Sequence, residues 1–165
     1  MKARYLITLF SVFILNGMNA QDSLESLLKK YNSGKISYTS VEELRMDQLN
    51  NGVLILDARE PEEFKVSHIE GALEVGFNDF DISILDSFSR EKKIVVYCSI
   101  GIRSENIGIK LEKSGFENVE NLYGGIFEWK NKDYPLVDEK GDATNKVHAF
   151  SKSWSKWLKK GEKIY

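Results

Sequence analysis

Two uninterrupted apolar runs, 53–56 and 94–97, lie in the middle of the chain. Both are short and rich in β-branched residues, a pattern typical of strands that are buried on both faces of a parallel sheet. Segments with helix-start signals alternate with such runs: Ser40 and Glu43 form a capping-box pattern, and a proline among acidic residues opens a helix at 60–64. This alternation predicts an α/β fold, with a central, mostly parallel sheet flanked by helices on both faces.

The first 20 residues have a different pattern. Lys2 and Arg4 precede an apolar run over 5–15, and a small residue, Ala20, ends the segment. This layout predicts a secretory signal peptide over 1–20, because the run is short for a membrane-spanning helix. We therefore expect an exported protein, periplasmic in a bacterium. It would contact a membrane only through this segment, if the segment is left uncleaved.

The segments before and after a central domain, 36–138, are each predicted to contain a further helix. Leucines at helical spacing predict an N-terminal helical segment over 21–35. Residues 139–165 are expected to form an extension with an amphipathic helix over 151–160, because four apolar residues recur at helical spacing: Phe150, Trp154, Trp157 and Leu158. Lysines surround that stripe. The helix is expected either to pack on the domain with a solvated basic face or to contact a partner or an anionic surface.

The composition of the chain excludes several classes of function. The chain of 165 residues carries a formal net charge of −2, which gives no overall basic surface for nucleic acid. Its single cysteine excludes an internal disulfide, and one cysteine with two distant histidines does not make a metal site. The glycine patterns of nucleotide-binding loops do not occur in the sequence. We expect no metal, no cofactor and no nucleic-acid partner.

The lone cysteine lies where the second apolar run ends. Cys98 follows the predicted strand 94–97, and Ser104 after it marks a helix start. A thiol between a strand end and a helix N-terminus faces free backbone N–H groups, which favour the reactive thiolate. Most cysteines after an apolar strand are inert core residues. Gly101 and Arg103 favour the reactive interpretation here, because a packing cysteine needs neither of them.

Four short motifs occur in order along the chain. They are DAREPEEF at 57–64, SHIEGA at 67–72, CSIGIRS at 98–104 and GGIFEW at 124–129. On these motifs the chain resembles the single-domain rhodanese-like sulfurtransferase family, and the resemblance covers about residues 36–137. It implies a rhodanese-like α/β domain with its active loop at the third motif.

The resemblance also implies an activity, the transfer of sulfane sulfur. Cys98 is expected to attack the outer sulfur of a small anionic donor such as thiosulfate, hold that sulfur as a persulfide, and pass it to cyanide, a thiol or a protein acceptor. The substrate-binding loop is expected to comprise Ser99, Ile100, Gly101, Ile102 and Arg103. Three further residues are expected to support the loop without reacting: Ser104, Asp57 and Arg59.

Two other functions remain open. A rhodanese-like domain can serve as a binding, sulfur-carrier or sensor module without turnover. The phosphate loops of cysteine phosphatases and arsenate reductases have one residue more between cysteine and arginine than the four that separate Cys98 from Arg103.

The apolar Ile100 and Ile102 hint at a thiol or protein that approaches over an apolar rim. His68 is expected to be structural, since a histidine in such a position more often makes a structural hydrogen bond than acts as a general base.

Overall fold

The computed structural model describes residues 23–165. The predicted signal peptide, 1–20, lies outside the described residues and stays a prediction. Within residues 23–165, no helix has both the length and the apolar character that crossing a bilayer requires.

A five-stranded sheet forms the centre of the molecule. Its strands are β1 Ser37–Thr39, β2 Leu54–Asp57, β3 Leu73–Glu74, β4 Ile94–Tyr97 and β5 Val119–Leu122. In space the order is β1-β5-β4-β2-β3, and all four neighbouring pairs are parallel. The predicted α/β fold is therefore confirmed. β4 is the central strand, so its carboxyl end opens at the sheet edge where parallel α/β proteins bind ligands.

Helices surround this sheet. The α-helices of the described region are α1 Leu24–Tyr31, α2 Val41–Leu49, α3 Pro61–Val66, α4 Arg103–Lys113 and α5 Gly125–Asn131. Short 3-10 helices span Ile82–Leu85 and Ser155–Trp157. The predicted capping box at the start of α2 is confirmed: the Glu43 amide donates to the Ser40 hydroxyl, and the Ser40 amide donates to the Glu43 carboxylate.

Both faces of β4 are buried. Val95 and Tyr97 belong to an apolar cluster that includes residues of α2 and α5, whereas Ile94 and Val96 belong to a second cluster that includes residues of α4. All four side chains are 0 % exposed. Because alternate residues of a strand face opposite sides of the sheet, the two clusters are its two sides. β4 is the doubly buried strand that its apolar run predicted.

The chain after the sheet packs back onto the domain. Two further strand pairs form there: β6 Leu136–Val137 is antiparallel to β7 Ala143–Thr144, and β8 Lys146–His148 is parallel to β9 Glu162–Ile164. Val147, Ala149 and Leu158 lie in the same buried cluster as Val95. Residues 139–165 therefore contribute to the core of the domain.

The predicted amphipathic helix over 151–160 is wrong. This segment forms turns and the short 3-10 helix Ser155–Trp157, after which Leu158 is extended. Phe150, just before it, has a φ of +61°, which is a left-handed conformation. Although the aromatic residues recur at helical spacing, the segment forms a compact turn. This turn buries Leu158 and places Trp154 beside the Cys98 loop.

Candidate active site

The loop after β4 turns back on itself between Cys98 and Arg103. Cys98 is the first residue past the end of β4, and α4 begins at Arg103. Gly101 has a φ of +110°, which residues with a Cβ rarely adopt. Its carbonyl accepts hydrogen bonds from Nδ2 of Asn32 and from Nδ2 of Asn121, each at 2.8 Å. The end of α1 and the strand β5 therefore fix the conformation of the loop.

The start of α5 holds the other side of the loop. The Ile126 amide donates to the Cys98 carbonyl at 2.9 Å, and the Phe127 amide donates to the Ser99 carbonyl at 3.2 Å. A Cβ built on Gly125 would lie 2.2 Å from the Cys98 carbonyl oxygen, which is a severe overlap. Glycine at this position lets the backbone of α5 approach the loop closely enough to make these bonds.

Hydrogen-bond donors converge on the Cys98 sulfur. The Gly101 amide donates to Sγ at 3.2 Å. The Ser104 hydroxyl lies 3.5 Å from Sγ and 2.7 Å from Oδ1 of Asn121, so its one proton can serve either acceptor. The sequence pattern predicts Ser104 as the cap of α4. In the structure Ile102 holds the cap position, and Ser104 is buried in the first turn with its hydroxyl toward the sulfur.

The pKa of the Cys98 thiol is lowered from its ordinary value. Burial raises this pKa, since the residue is only 2 % exposed. The charge of Arg103, the hydroxyl and amide of Ser104, and the amide of Gly101 together lower it by more. The reactive thiolate therefore forms at a lower pH than it does for an ordinary cysteine.

A carboxylate that the sequence patterns did not assign to the site pairs with Arg103. Glu63 Oε2 accepts from Nη1 of Arg103 at 2.6 Å, and Glu63 Oε1 accepts from Nη2 at 2.9 Å. Nη2 also donates to the Ser99 hydroxyl at 3.0 Å. The sequence predicts that Arg103 helps to bind an anionic donor, and in the structure Glu63 engages both terminal nitrogens of its guanidinium. The place of Glu63 in the 57–64 motif is the one signal that could have identified it.

Asp57 and Arg59 form a buried ion pair at the carboxyl end of β2. Arg59 Nη2 donates to Asp57 Oδ2 at 2.6 Å and to the Ser67 carbonyl at 2.6 Å, and both charged side chains are 0 % exposed. These contacts hold the segment that connects β2 to α3, and support of the Cys98 loop by this pair stays a prediction. The ring of His68 stacks on Phe64 with 3.8 Å between centroids, which agrees with the structural role expected for it.

A cavity of about 240 Å³ lies over the loop. Part of its lining comes from the loop: Cys98, Ser99, Ile100, Ile102 and Arg103. The rest is a group of three aromatic residues that we call the aromatic wall: Tyr31, Phe150 and Trp154. No motif pointed to this wall, because its residues lie outside all four. Ile100 is 2 % exposed and belongs to the core cluster, so it lines the cavity from within the core.

The polar groups that act on the Cys98 sulfur are the Gly101 amide, the hydroxyl and amide of Ser104 and the Arg103 guanidinium. Groups of this kind stabilise negative charge on a bound atom. Among residues 23–165, no three His, Cys, Asp or Glu side chains are grouped so that they could hold a metal ion. The arrangement suits an anionic sulfur atom at position 98.

Residues 40–132 match the model of the rhodanese-like domain family. The tRNA uridine(34) hydroxylase of Yersinia pestis is 34% identical over 99 residues, which are 54% of this chain and 28% of the relative. The hydroxylase of the same name from Listeria welshimeri is 36% identical over 103 residues, which are 59% of this chain and 32% of the relative. The chain thus spans less than a third of the length of these curated relatives.

Solved structures share the fold. A rhodanese-related protein from Thermoplasma volcanium aligns with a TM-score of 0.51 and 28% identity, covering 62% of this chain and 99% of that one. A thiosulfate sulfurtransferase from Pseudomonas aeruginosa aligns with a TM-score of 0.58 and 21% identity, covering 74% of this chain and 23% of that one. At that identity the second likeness concerns the fold alone.

Proposed function

This chain belongs to the rhodanese-like domain family, and from that premise we propose that it is a sulfurtransferase that carries sulfane sulfur as a persulfide on Cys98. The observation that carries the proposal is the set of donors around Sγ, namely the amide of Gly101 at 3.2 Å and the hydroxyl of Ser104 at 3.5 Å. With the charge of Arg103, they lower the thiol pKa against the opposing effect of burial. A persulfide is also an anion, and we propose that the same loop stabilises the negative charge on its outer sulfur.

The proposed reaction consists of two displacements. The Cys98 thiolate attacks the outer sulfur of thiosulfate, the S–S bond of the donor breaks, and sulfite leaves with the electron pair of that bond. A second nucleophile then attacks the outer sulfur of the Cys98 persulfide: cyanide becomes thiocyanate, or a thiolate becomes a new persulfide. The Cys98 thiolate leaves and is ready for another cycle.

Arg103 acts in this scheme through its charge rather than as an open receptor for an anion. Its two terminal nitrogens form a bidentate pair with the Glu63 carboxylate. Cysteine phosphatases and arsenate reductases use such a guanidinium fork to hold a tetrahedral oxyanion, and here Glu63 engages both of its terminal nitrogens. The Glu63 pair therefore disfavours the phosphatase and arsenate reductase alternatives.

The hydroxylase activity named for the curated relatives is not part of the proposal. The matched region is 54% of this chain and 28% of the Yersinia pestis relative, so what the two share is a domain. We propose for this chain the chemistry that its own described residues support, which is sulfur transfer at Cys98.

We also propose that the protein acts outside the cytoplasm. The proposal rests on the basic, apolar and small-residue pattern over 1–20. Cell fractionation and N-terminal sequencing of the protein from its host would test it. A chain that begins at Gln21 in the exported fraction would support the proposal, and a chain that begins at Met1 in the cytoplasm would contradict it.

Thiocyanate formation tests the proposed activity. With thiosulfate and cyanide, the full chain should form many equivalents of thiocyanate, and Cys98→Ser should form none. Lys140→Ala changes an exposed loop residue and serves as the control, with unchanged turnover. A folded wild-type chain without turnover would favour the binding or carrier alternative. Aryl phosphate hydrolysis that Cys98→Ser abolishes would favour the phosphatase alternative.

A further inference from the structure

The aromatic wall gives the cavity over Cys98 an apolar surface. The Trp154 ring centroid lies 6.4 Å from that of Tyr31 and 6.2 Å from that of Phe150. Ile100 and Ile102 add aliphatic surface. A small inorganic anion gains nothing from such contacts, because transfer of charge from water to an apolar environment is unfavourable. The surface instead suits a ligand that has an apolar part.

The size of the cavity agrees with such a ligand. Its volume is about 240 Å³, and a cavity of roughly 150 Å³ is enough to hold a benzene ring. A ring or chain of about six carbon atoms therefore fits with its sulfur near Cys98. Tyr31 and Phe150 are 54% and 47% exposed, so a ligand at this place would also cover apolar surface of the protein.

A strained backbone holds Phe150 in the aromatic wall. Its φ of +61° is rare for a bulky residue. The Phe150 amide donates to Nδ1 of His148 at 3.2 Å, and the Arg103 guanidinium carbon lies 4.8 Å from the centre of the Phe150 ring. Residues in rare backbone conformations cluster at ligand sites, where the surrounding structure keeps them in place. The position of Phe150 therefore points to a ligand rather than to core packing.

The charges around the cavity favour an uncharged ligand body. Among the residues that line the cavity, Arg103 is the one cation. The Glu63 carboxylate compensates its charge, and the Phe150 ring covers one of its faces. A ligand with a charged body would lose hydration there without gaining a full countercharge.

From these contacts we propose that the sulfur acceptor is a small thiol with an apolar, uncharged body that lies between the aromatic wall and Cys98. This inference rests on the proposed Cys98 persulfide. The acceptor thiolate attacks the outer sulfur, the S–S bond to Cys98 breaks, and a new S–S bond forms on the acceptor. The electron pair of the broken bond leaves on Cys98 as thiolate, so no other reactant is consumed.

Acceptor selectivity tests the proposal. The full chain is loaded with excess thiosulfate, desalted, and mixed with phenylmethanethiol or 2-mercaptoethanol at equal thiolate concentration, and intact mass follows the loss of the added sulfur. To correct for the intrinsic reactivity of each thiol, its rate constant with the loaded chain is divided by its rate constant with free cysteine persulfide. We expect a preference of at least about tenfold for phenylmethanethiol. Equal ratios on a loaded chain overturn this inference alone, whereas a chain that never loads overturns the proposed function.

Two variants of the aromatic wall and one matched control sharpen the test. Trp154→Ala should reduce the preference to within about threefold. Trp157→Ala should keep it, because Trp157 lies in the same segment but lines a different surface, with Ser23 and Tyr123. Tyr31→Ala changes a side chain that is 54% exposed, so it should fold normally and still weaken the preference. An unchanged preference in both Trp154→Ala and Tyr31→Ala overturns the proposal.

A non-reactive probe tests the cavity without sulfur transfer. Benzyl alcohol should slow the alkylation of unloaded Cys98 by iodoacetamide, because its ring would lie over the sulfur. Ethanol at the same concentration should have no effect. The absence of any protection by benzyl alcohol in the wild-type chain would overturn the proposal, whatever the outcome of the transfer assay.

Discussion

The carboxylate of Glu63 and the guanidinium of Arg103 form a two-point ion pair at the Cys98 loop, although the two residues are 40 positions apart in the sequence. The pair joins α3 to the start of α4. Burial raises the pKa of Glu63, but the hydrogen bonds and charge of Arg103, the charge of Arg59 and the Glu60 amide together lower it by more, so the carboxylate stays ionised. The charge of Arg103 lowers the pKa of Cys98, and the paired Glu63 carboxylate compensates that charge, so each charge can be changed separately.

Glu63→Gln keeps the shape of this contact but removes its negative charge. The positive charge of Arg103 is then uncompensated and stabilises the thiolate more strongly, so the pKa of Cys98 should fall further. The pH profile of Cys98 alkylation by iodoacetamide should therefore move to lower pH. Glu62→Gln removes the same charge from an exposed position of α3 and should leave the profile in place. A shift to higher pH would contradict the account.

Arg103→Met has the opposite effect on the thiol. It removes the positive charge that lowers the pKa of Cys98, and it leaves the buried Glu63 carboxylate unpaired beside the loop. Both changes disfavour the thiolate, so the alkylation profile should move to higher pH. The same profile for Arg90→Met, which removes an arginine whose side chain is 43% exposed, should match the wild type. An unmoved profile for Arg103→Met would show that this charge does not act on the sulfur.

The ion pair of Asp57 and Arg59 should contribute to the stability of the fold rather than to the reactivity of Cys98. Asp57→Asn leaves the charge of Arg59 unpaired in the interior, at a cost of about 3–5 kcal/mol in the free energy of unfolding. Urea denaturation followed by tryptophan fluorescence measures this loss. Glu25→Gln breaks the exposed pair with Lys29 and should leave the transition where it is. Equal midpoints for the two variants would contradict the bracing role.

The approach of α5 to the Cys98 loop depends on Gly125. Gly125→Ala puts a Cβ 2.2 Å from the Cys98 carbonyl oxygen, in addition to a left-handed φ of +56°. Gly141→Ala has a comparable φ of +84° but meets no other atom within 4 Å, so it isolates the backbone cost of about 1–2 kcal/mol. Gly125→Ala should cost more than about 3 kcal/mol. Similar unfolding free energies for the two would show that the loop moves aside.

Much of the fold follows from local patterns. The run at 94–97 predicts β4, because a strand covered on both faces has no polar position to alternate with. The pair of Ser40 and Glu43 predicts the start of α2, because the capping box involves residues three apart in sequence. Cys98 at the end of β4 is likewise a local feature, since strand ends and helix starts define the sheet edge where ligands bind.

The rest of the site could not be predicted because it depends on distant contacts. Glu63 pairs with Arg103, 40 positions further along the chain, and no local pattern encodes that pairing. The spacing of Phe150, Trp154 and Leu158 fits a helix, but the left-handed φ of Phe150 and the extended Leu158 form a turn instead. Tertiary packing on the domain outweighs helical periodicity in this short segment. The aromatic wall is therefore visible only in three dimensions.

The central claim is that the Cys98 sulfur, surrounded by donors, accepts one further sulfur atom. Intact-mass analysis of the full chain after incubation with thiosulfate tests it most directly, with Cys98→Ser treated in parallel. The account predicts the mass of one added sulfur on the wild-type chain, its removal by cyanide, and no addition to the variant. A folded wild-type chain whose mass does not change, or the same addition to Cys98→Ser, would contradict the account.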